Sequence, residues 1–374
     1  ISASYGRAWK RLSRPHKTMT ASYLSHLLCS GCGEKYSHEE LHTFCPVCQS
    51  PLLSVYDLKK ARGSVDREEI ARRKKGMWRW EEFLPVLHRE NQIFLGEGDT
   101  PLLSLPHLEK QLGLTNLFVK DESSNPTGSF KARGLAAAVS KAKELGVEKA
   151  IIPTAGNAGG AMAAYAARAG LRAHIFMPKD TPLANIEESR MTGAEVILVD
   201  GLISEAAGMA GVKAREEGWF DLSTFKEPYR LEGKKIMGYE IAQSFDWKLP
   251  DVIIYPTGGG TGLVGIWKAI AELAELGWLE TDKRPRMVAV QADGCAPVIK
   301  AFREGKEFCD FWTDAHTRAS GLRVPKSFAD RLILSTIRAS AGTAVAVSDE
   351  AIFESQSLLA KQEGLFVAPE GAAT

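Results

Sequence analysis

From about residue 96 onward, short apolar runs alternate with amphipathic helical patterns, and this alternation constrains the fold more than any other feature. Each run has the length of a buried strand, and each following segment has apolar residues at helical spacing. Such alternation predicts an α/β fold with parallel sheets covered by helices on both faces. The predicted strands are 150–153, 173–177, 195–199, 252–256, 287–291 and 343–347, and the predicted helices are 159–169, 183–192, 202–217, 230–245 and 263–276.

Composition describes an ordinary globular chain. Its 374 residues are 44% hydrophobic and 25% charged, enough for two sizeable units plus small appendages. A net charge of +1 gives no electrostatic reason to expect nucleic acid or an anionic membrane as a partner. No apolar run approaches the roughly 18 residues of a membrane-spanning helix. Without a secretory apolar segment, the expected location is the cytoplasm.

The first residues form a separate, basic head. Residues 1–18 contain five Lys or Arg and no acid, and Met19 follows them. Two explanations remain open, a transit peptide or translation read upstream of a start at Met19, and we favour the second. Residues 1–25 are predicted to be disordered.

Two CxxC pairs follow this head. Cys29 and Cys32 form the first pair, Cys45 and Cys48 form the second, and twelve residues separate the pairs. This spacing is typical of zinc ribbons, in which four thiolates bind one ion. Two disulfides or four free thiols are the alternatives. The sequence predicts a zinc-ribbon-like segment at 26–56 with a structural role.

A lysine stands where a polar turn becomes a helix, in the stretch SSNPTGSFKAR. Lys131 is predicted to lie in the first turn of that helix. The positive end of the helix dipole disfavours its charged form, and burial would act in the same direction. Lys131 is therefore a candidate nucleophilic amine, the alternative being a solvated lysine on an exposed face.

Two strand-to-helix junctions carry unusual chemistry. TAGNAGG, residues 154–160, offers free helix N–H groups to a carboxylate, and Asn157 adds a donor and an acceptor. PTGGGTG, residues 256–262, is a glycine loop whose N–H groups can wrap a phosphate. Gly260, Gly262 and Gly265 also satisfy the GxGxxG pattern of dinucleotide sites, although no acidic residue ends the next predicted strand.

The order of NPTGSFKARG, TAGNAGG and PTGGGTG resembles the fold-type II pyridoxal-phosphate-dependent enzymes, from about residue 96 to the last residue. Within that group, the segments EPYRLEGKKIMGYEIA, PRMVAVQADGCAP and ASGLRVP are similar to threonine synthases, which also include proteins with a ribbon-like N-terminal extension. The resemblance implies a two-domain fold like that of the tryptophan synthase β subunit. The domains would be a large one at 57–124 and 226–374 and a small one at 125–225, with homodimerisation expected.

The resemblance also implies roles for individual residues. Lys131 would hold pyridoxal phosphate covalently and shuttle protons, with Phe130 packed against its ring. Asn157 would hydrogen-bond the phenolic oxygen of the cofactor, while Arg230 would bind the phosphate of O-phosphohomoserine. The substrate carboxylate would bind Thr154 and Ala158, and the cofactor phosphate would lie in the glycine cradle of Gly258, Gly259, Gly260, Thr261 and Gly262.

The implied reaction removes phosphate from the γ-carbon of O-phosphohomoserine and adds water at the β-carbon, giving threonine. Two departures from the family pattern matter. Ala132 stands where many threonine synthases have Asp, so a serine or threonine ammonia-lyase, or a relative acting on phosphoserine, is the alternative. The chain also stops at Thr374, before the Ser or Thr that family members place beside the pyridine nitrogen, so we expect a C-terminal truncation.

Two hypotheses from other classes complete the set. An NAD-dependent oxidoreductase rests on GxGxxG alone. A non-enzymatic, metal-stabilised binding module would use the ribbon to recruit a partner.

Overall fold

The computed structural model describes residues 21–374. Its strands are β1 Leu24–Cys29, β2 Lys35–Tyr36, β3 Leu52–Tyr56, β4 Leu102–Ser104, β5 Phe118–Lys120, β6 Lys149–Pro153, β7 Arg172–Pro178, β8 Glu195–Val199, β9 Phe220–Asp221, β10 Val252–Pro256, β11 Arg286–Ala292 and β12 Thr343–Val347. Its α-helices are α1 Leu58–Arg62, α2 Arg67–Arg72, α3 Pro106–Leu112, α4 Lys131–Glu144, α5 Asn157–Ala169, α6 Leu183–Met191, α7 Ile203–Glu217, α8 Arg230–Ser244, α9 Thr261–Leu276, α10 Pro297–Arg303, α11 Asp330–Ala339, α12 Asp349–Glu363 and α13 Pro369–Ala372.

Two parallel sheets carry the α/β part of the molecule. One has the strand order β8-β7-β6-β9 and the other β10-β11-β12, with every pairing in both sheets parallel. The six predicted strands and five predicted helices all form, with shifts of no more than two residues at their ends. The predicted parallel architecture is confirmed. The strands of such sheets appear as apolar runs in the sequence, because helices cover both faces of the sheet and bury the side chains on each side.

Two smaller antiparallel sheets precede these. The first has the strand order β2-β1-β3 and is formed by the part of the chain that contains both CxxC pairs. The second pairs β4 with β5. The N-terminal sheet belongs to the predicted ribbon-like segment.

Helix α8 passes through the centre of the molecule, and glycines let its neighbours approach closely. A Cβ added at Gly233 would collide with the backbone carbonyl of Arg133 in α4, and one at Gly134 would lie 2.9 Å from the carbonyl oxygen of Arg230. On the side facing α9, a Cβ at Gly238 would lie 2.6 Å from that of Ala269. This packing brings the N-terminal ends of α4, α8 and α9 together.

The N-terminal prediction needs one correction. Residues 21–25 were assigned to the disordered head, but they pack against the segment 82–87. Ala21 N–H donates to the carbonyl of Leu87 and Ser22 Oγ donates to that of Leu84, so this part of the head is ordered. Burial of Leu24 at the start of β1 explains the order. The remainder of the predicted head, 1–20, lies outside the described residues.

No helix within residues 21–374 combines the length and apolar character needed to cross a membrane. The predicted domain boundaries stay a prediction.

Candidate active site

Lys131 is the first residue of α4, as predicted. The turn before it is strained, because Thr127 has a φ of 60° and is β-branched, and Gly128 follows with 63°. The amine of Lys131 lies 3.9 Å from the ring centroid of Phe130. The turn and the close contact hold the amine at the start of the helix.

The pKa of Lys131 falls to about 8. Burial is the main cause, the positive charge of Arg230 adds to it, and the carboxylate of Glu370 opposes it. At pH 7 this leaves roughly one amine in ten neutral and nucleophilic, compared with fewer than about one in a thousand for an ordinary lysine. The expectation that the site disfavours its charge is confirmed.

Two further cations reach the same place from α8. Arg230 and Lys234 are each 1% exposed, and they share a helix face because they are four residues apart. Lys234 Nζ lies 4.7 Å from the Phe130 centroid, and it donates a hydrogen bond of 2.6 Å to Thr261 Oγ1. Arg230 Nη1 donates to the carbonyl of Leu222 at 2.7 Å.

The carboxylate of Glu227 lies close to this cluster, and its hydrogen bonds go to the backbone. Glu227 is 2% exposed and accepts backbone N–H groups from Tyr229 and Arg230 at the start of α8. Burial raises its pKa to about 7, so its negative charge is incomplete near neutral pH. Nε of Arg230 has no hydrogen-bond partner within the described residues. Lys131, Arg230 and Lys234 form no ion pair within residues 21–374, and their N–H donors suit an anionic ligand.

The predicted glycine cradle follows β10 and leads into α9. Gly260 has a φ of 77°, which favours glycine. Side chains are also excluded at its neighbours: a Cβ on Gly258 would lie 2.5 Å from the carbonyl oxygen of Gly321, and one on Gly259 would lie 2.8 Å from Thr224 Cγ2. Free N–H groups at the start of α9 face this loop, as an anion site requires.

The asparagine loop lies at the start of α5, which packs against α4 and against the turn Pro126–Gly128. Asn157 is exposed, and its Oδ1 accepts a hydrogen bond from Asn185 at 3.0 Å. Thr154 is buried and its hydroxyl pairs with Gly156, while Ala158 is half-buried. The roles predicted for these three residues stay predictions.

Comparison with known proteins identifies the family. The family model described as "Pyridoxal-phosphate dependent enzyme" matches residues 93–374. The threonine synthase of Methanocaldococcus jannaschii is 36% identical over 347 residues, which are 92% of this chain and 85% of that protein. The threonine synthase of Methanosarcina acetivorans is 35% identical over 93% of this chain and 85% of that protein. The chain belongs to the threonine synthase family.

Solved structures share the fold. Maize serine racemase has a TM-score of 0.64 at 23% identity, covering 73% of this chain and 79% of that one. A fungal L-serine ammonia-lyase from Rhizomucor miehei has a TM-score of 0.61 at 26% identity, covering 73% and 84%. The predicted fold-type II class is confirmed. The family match assigns the glycine loop to a pyridoxal-phosphate enzyme, which sets the dinucleotide alternative aside.

The residues present fit the cofactor of this family. Pyridoxal phosphate carries an aldehyde and a phosphate, so it needs a neutral amine and an anion cradle. Lys131 supplies the amine, and the glycine loop backed by α9 supplies the cradle. The Nε–H of Arg230 has no hydrogen-bond partner within residues 21–374 and could donate to an anion.

Sequence reasoning missed two residues of this site. Lys234 had a usable signal, since it lies one helical turn after Arg230 on the same face. Glu370 had none: its carboxylate accepts the Gly321 N–H at 2.7 Å, and the folded chain brings it close enough to influence Lys131.

The four predicted metal-ligating cysteines form a cluster of their own. All four sulfurs lie within 4.8 Å of one another. The Cys29 and Cys48 sulfurs are 3.3 Å apart, and those of Cys32 and Cys45 are 3.7 Å apart. Tetrahedral zinc with Zn–S bonds of about 2.3 Å implies sulfur separations of about 3.8 Å, so the cluster fits one zinc ion.

Proposed function

We propose that this protein is a threonine synthase that converts O-phosphohomoserine and water into threonine and phosphate. One observation supports it above the rest. Beyond the glycine cradle that the cofactor phosphate needs, the site contains the buried guanidinium of Arg230, which makes no ion pair within residues 21–374 and whose Nε has no hydrogen-bond partner there. A substrate with a phosphate of its own would use this additional charge.

Arg230 is the residue proposed to bind the substrate phosphate. Its guanidinium is buried and donates to the Leu222 carbonyl, and its Nε has no hydrogen-bond partner within residues 21–374. A guanidinium matches the geometry of phosphate oxygens and stays charged through the reaction. It would orient the γ-carbon and stabilise the negative charge that develops as phosphate leaves.

Lys131 is the residue proposed to move protons. When bound, pyridoxal phosphate supplies an electron sink for carbanion chemistry beside the substrate amine. A lysine amine with a pKa of about 8 both accepts and returns a proton readily near neutral pH. Asn157 would orient the cofactor ring, and Thr154 and Ala158 would hold the substrate carboxylate.

The test is formation of threonine and phosphate by the protein loaded with pyridoxal phosphate. The wild type is compared with Arg230→Lys, which keeps the charge but loses the fork, and with Lys143→Met, a control at the far end of α4. We expect threonine from wild type and control, and a rise in KM of about 10- to 100-fold for Arg230→Lys. Absence of threonine from all three would refute the proposal.

A serine or threonine ammonia-lyase is the second candidate, supported by the resemblance to the Rhizomucor miehei enzyme. Ammonia release from unphosphorylated serine or threonine, without threonine formation from O-phosphohomoserine, would favour it. Phosphate release from phosphoserine would favour the third alternative.

We also propose that the four-cysteine cluster binds one structural zinc ion, because its sulfur separations match a tetrahedral site. The homodimer and the cytoplasmic location stay predictions.

A further inference from the structure

Lys234 and Lys235 are adjacent in α8 and both are buried, but their surroundings differ. Lys235 is paired with two carboxylates, Glu232 at 2.6 Å and Glu272 at 2.9 Å. Lys234 has no carboxylate at ion-pair distance within residues 21–374. Its amine donates a hydrogen bond to a neutral hydroxyl, Thr261 Oγ1. Lys235 therefore has the environment of a structural lysine, whereas Lys234 has no carboxylate at ion-pair distance in the described part of the chain.

The surroundings of Lys234 make its charge unfavourable until an anion arrives. Burial lowers its pKa well below the usual value, and the positive charges of Arg230 and Lys131 lower it further, against a smaller opposing effect of the Glu227 carboxylate. Retaining an unpaired amine here costs stability, because a buried cation without a counter-charge is expensive. Such a cost is understandable if the counter-charge comes from a ligand.

The position of Lys234 selects which anion it binds. Thr261 is the first residue of α9 and follows directly after Gly258–Gly260, so the amine of Lys234 lies at the point where the glycine cradle joins the helix. Arg230 is instead held by the carbonyl of Leu222, 3.5 Å from Thr224 Oγ1. One cation thus lies at the cradle and one beside it, matching one cofactor phosphate and one substrate phosphate.

We propose that Lys234 is a cofactor-binding residue that donates, together with Thr261, to the phosphate of pyridoxal phosphate. The inference rests on the proposed function only in leaving the substrate phosphate to Arg230.

The test compares pyridoxal phosphate with pyridoxal, which lacks the phosphate. Equilibrium dissociation constants for both are measured from the absorbance of the bound form, for wild type and for Lys234→Met, Lys234→Arg and Lys143→Met. Thermal unfolding of each protein without cofactor controls for folding. Because Met fills a similar volume without burying an unpaired amine, the apo form of Lys234→Met is expected to melt no lower than wild type.

We expect Lys234→Met to weaken binding of pyridoxal phosphate on the order of 10- to 100-fold, the loss of one hydrogen bond to a charged group. Binding of pyridoxal should change less than about threefold, Lys234→Arg should recover part of the affinity, and Lys143→Met should match wild type.

Equal weakening for both ligands would overturn the inference, since Lys234 would then support the site only structurally. Unchanged affinity for both ligands would also overturn it, since Lys234 would then make no contact with the cofactor phosphate. These binding measurements do not depend on threonine formation, so failure of the proposed function and failure of this inference are distinguishable.

Discussion

The ring of Phe44 packs edge-on against the ring of Phe328, with 5.7 Å between their centroids. Phe44 directly precedes the ligand candidate Cys45, and Phe328 follows Ser327, whose hydroxyl donates to the Gly259 carbonyl of the cradle at 3.1 Å. The cysteine cluster therefore contacts the segment that braces the phosphate cradle.

The first prediction follows from this contact. Phe44→Ala should weaken binding of pyridoxal phosphate by about two- to fivefold, because Phe328, which is adjacent to Ser327, loses its aromatic partner. An aromatic pair contributes roughly 0.5–1.5 kcal/mol, and we expect part of this to reach the cradle. Phe311→Ala, at an exposed ring, is the control and should change nothing. A Phe44→Ala protein with altered stability but unchanged cofactor affinity would show that the two sites are independent.

The second prediction concerns the metal. Purified protein should contain about one zinc ion per chain, and Cys45→Ser should lose it and melt at a lower temperature, because metal binding and folding of such segments are coupled. Cys295→Ala, which removes a buried thiol outside the cluster, should keep the zinc. Zinc retained by Cys45→Ser would mean that this thiolate is not a ligand.

The third prediction concerns covalent attachment. Borohydride reduction of the protein loaded with pyridoxal phosphate, followed by peptide mapping, should place the label on Lys131, whose lowered pKa makes it nucleophilic. Lys131→Ala should lose the label and Lys143→Ala should keep it. A label on Lys234, the other lysine amine beside the Phe130 ring, would contradict the assignment of Lys131.

Much of this fold was predictable because its signals are local. Strands such as β8 and β10 coincide with their predicted ranges, since both the apolar run and the following helical pattern lie within about twenty residues of sequence. The helical position of Lys131 was predictable for the same reason. Lys234 was overlooked although its spacing from Arg230 places both on one helix face. Glu370 had no local signal, because its place depends on the fold bringing α13 to the loop at Gly321. The contact of Phe44 with Phe328 spans most of the chain and has no local signal.

The fourth prediction tests the packing that assembles the site. Gly233→Ala should lower the free energy of unfolding by about 1–3 kcal/mol, because the new methyl group would meet the Arg133 carbonyl across the α4–α8 contact. Gly208→Ala is the matched control. It lies inside α7 with nothing near its added Cβ, so it should raise the free energy of unfolding by about 0.4–1 kcal/mol. Equal effects of the two substitutions in denaturant unfolding would refute the close approach.

The fifth prediction is a pair of opposite pH shifts. Because the neutral amine of Lys131 attacks the cofactor aldehyde, the rate of attachment to the apo protein should rise with pH and level off above a pKa of about 8. Arg230→Gln removes a positive charge that lowers this pKa, so the profile should move to higher pH. Glu370→Gln removes a negative charge that raises it, so the profile should move to lower pH.

Stopped-flow absorbance at neutral and mildly alkaline pH measures both shifts, with Lys143→Met as a control whose profile should match wild type. The opposite signs distinguish electrostatic coupling from general damage to the site, because damage would slow attachment in both variants without moving the midpoint in opposite directions. Shifts in the same direction would contradict the opposite effects of Arg230 and Glu370 on the pKa of Lys131.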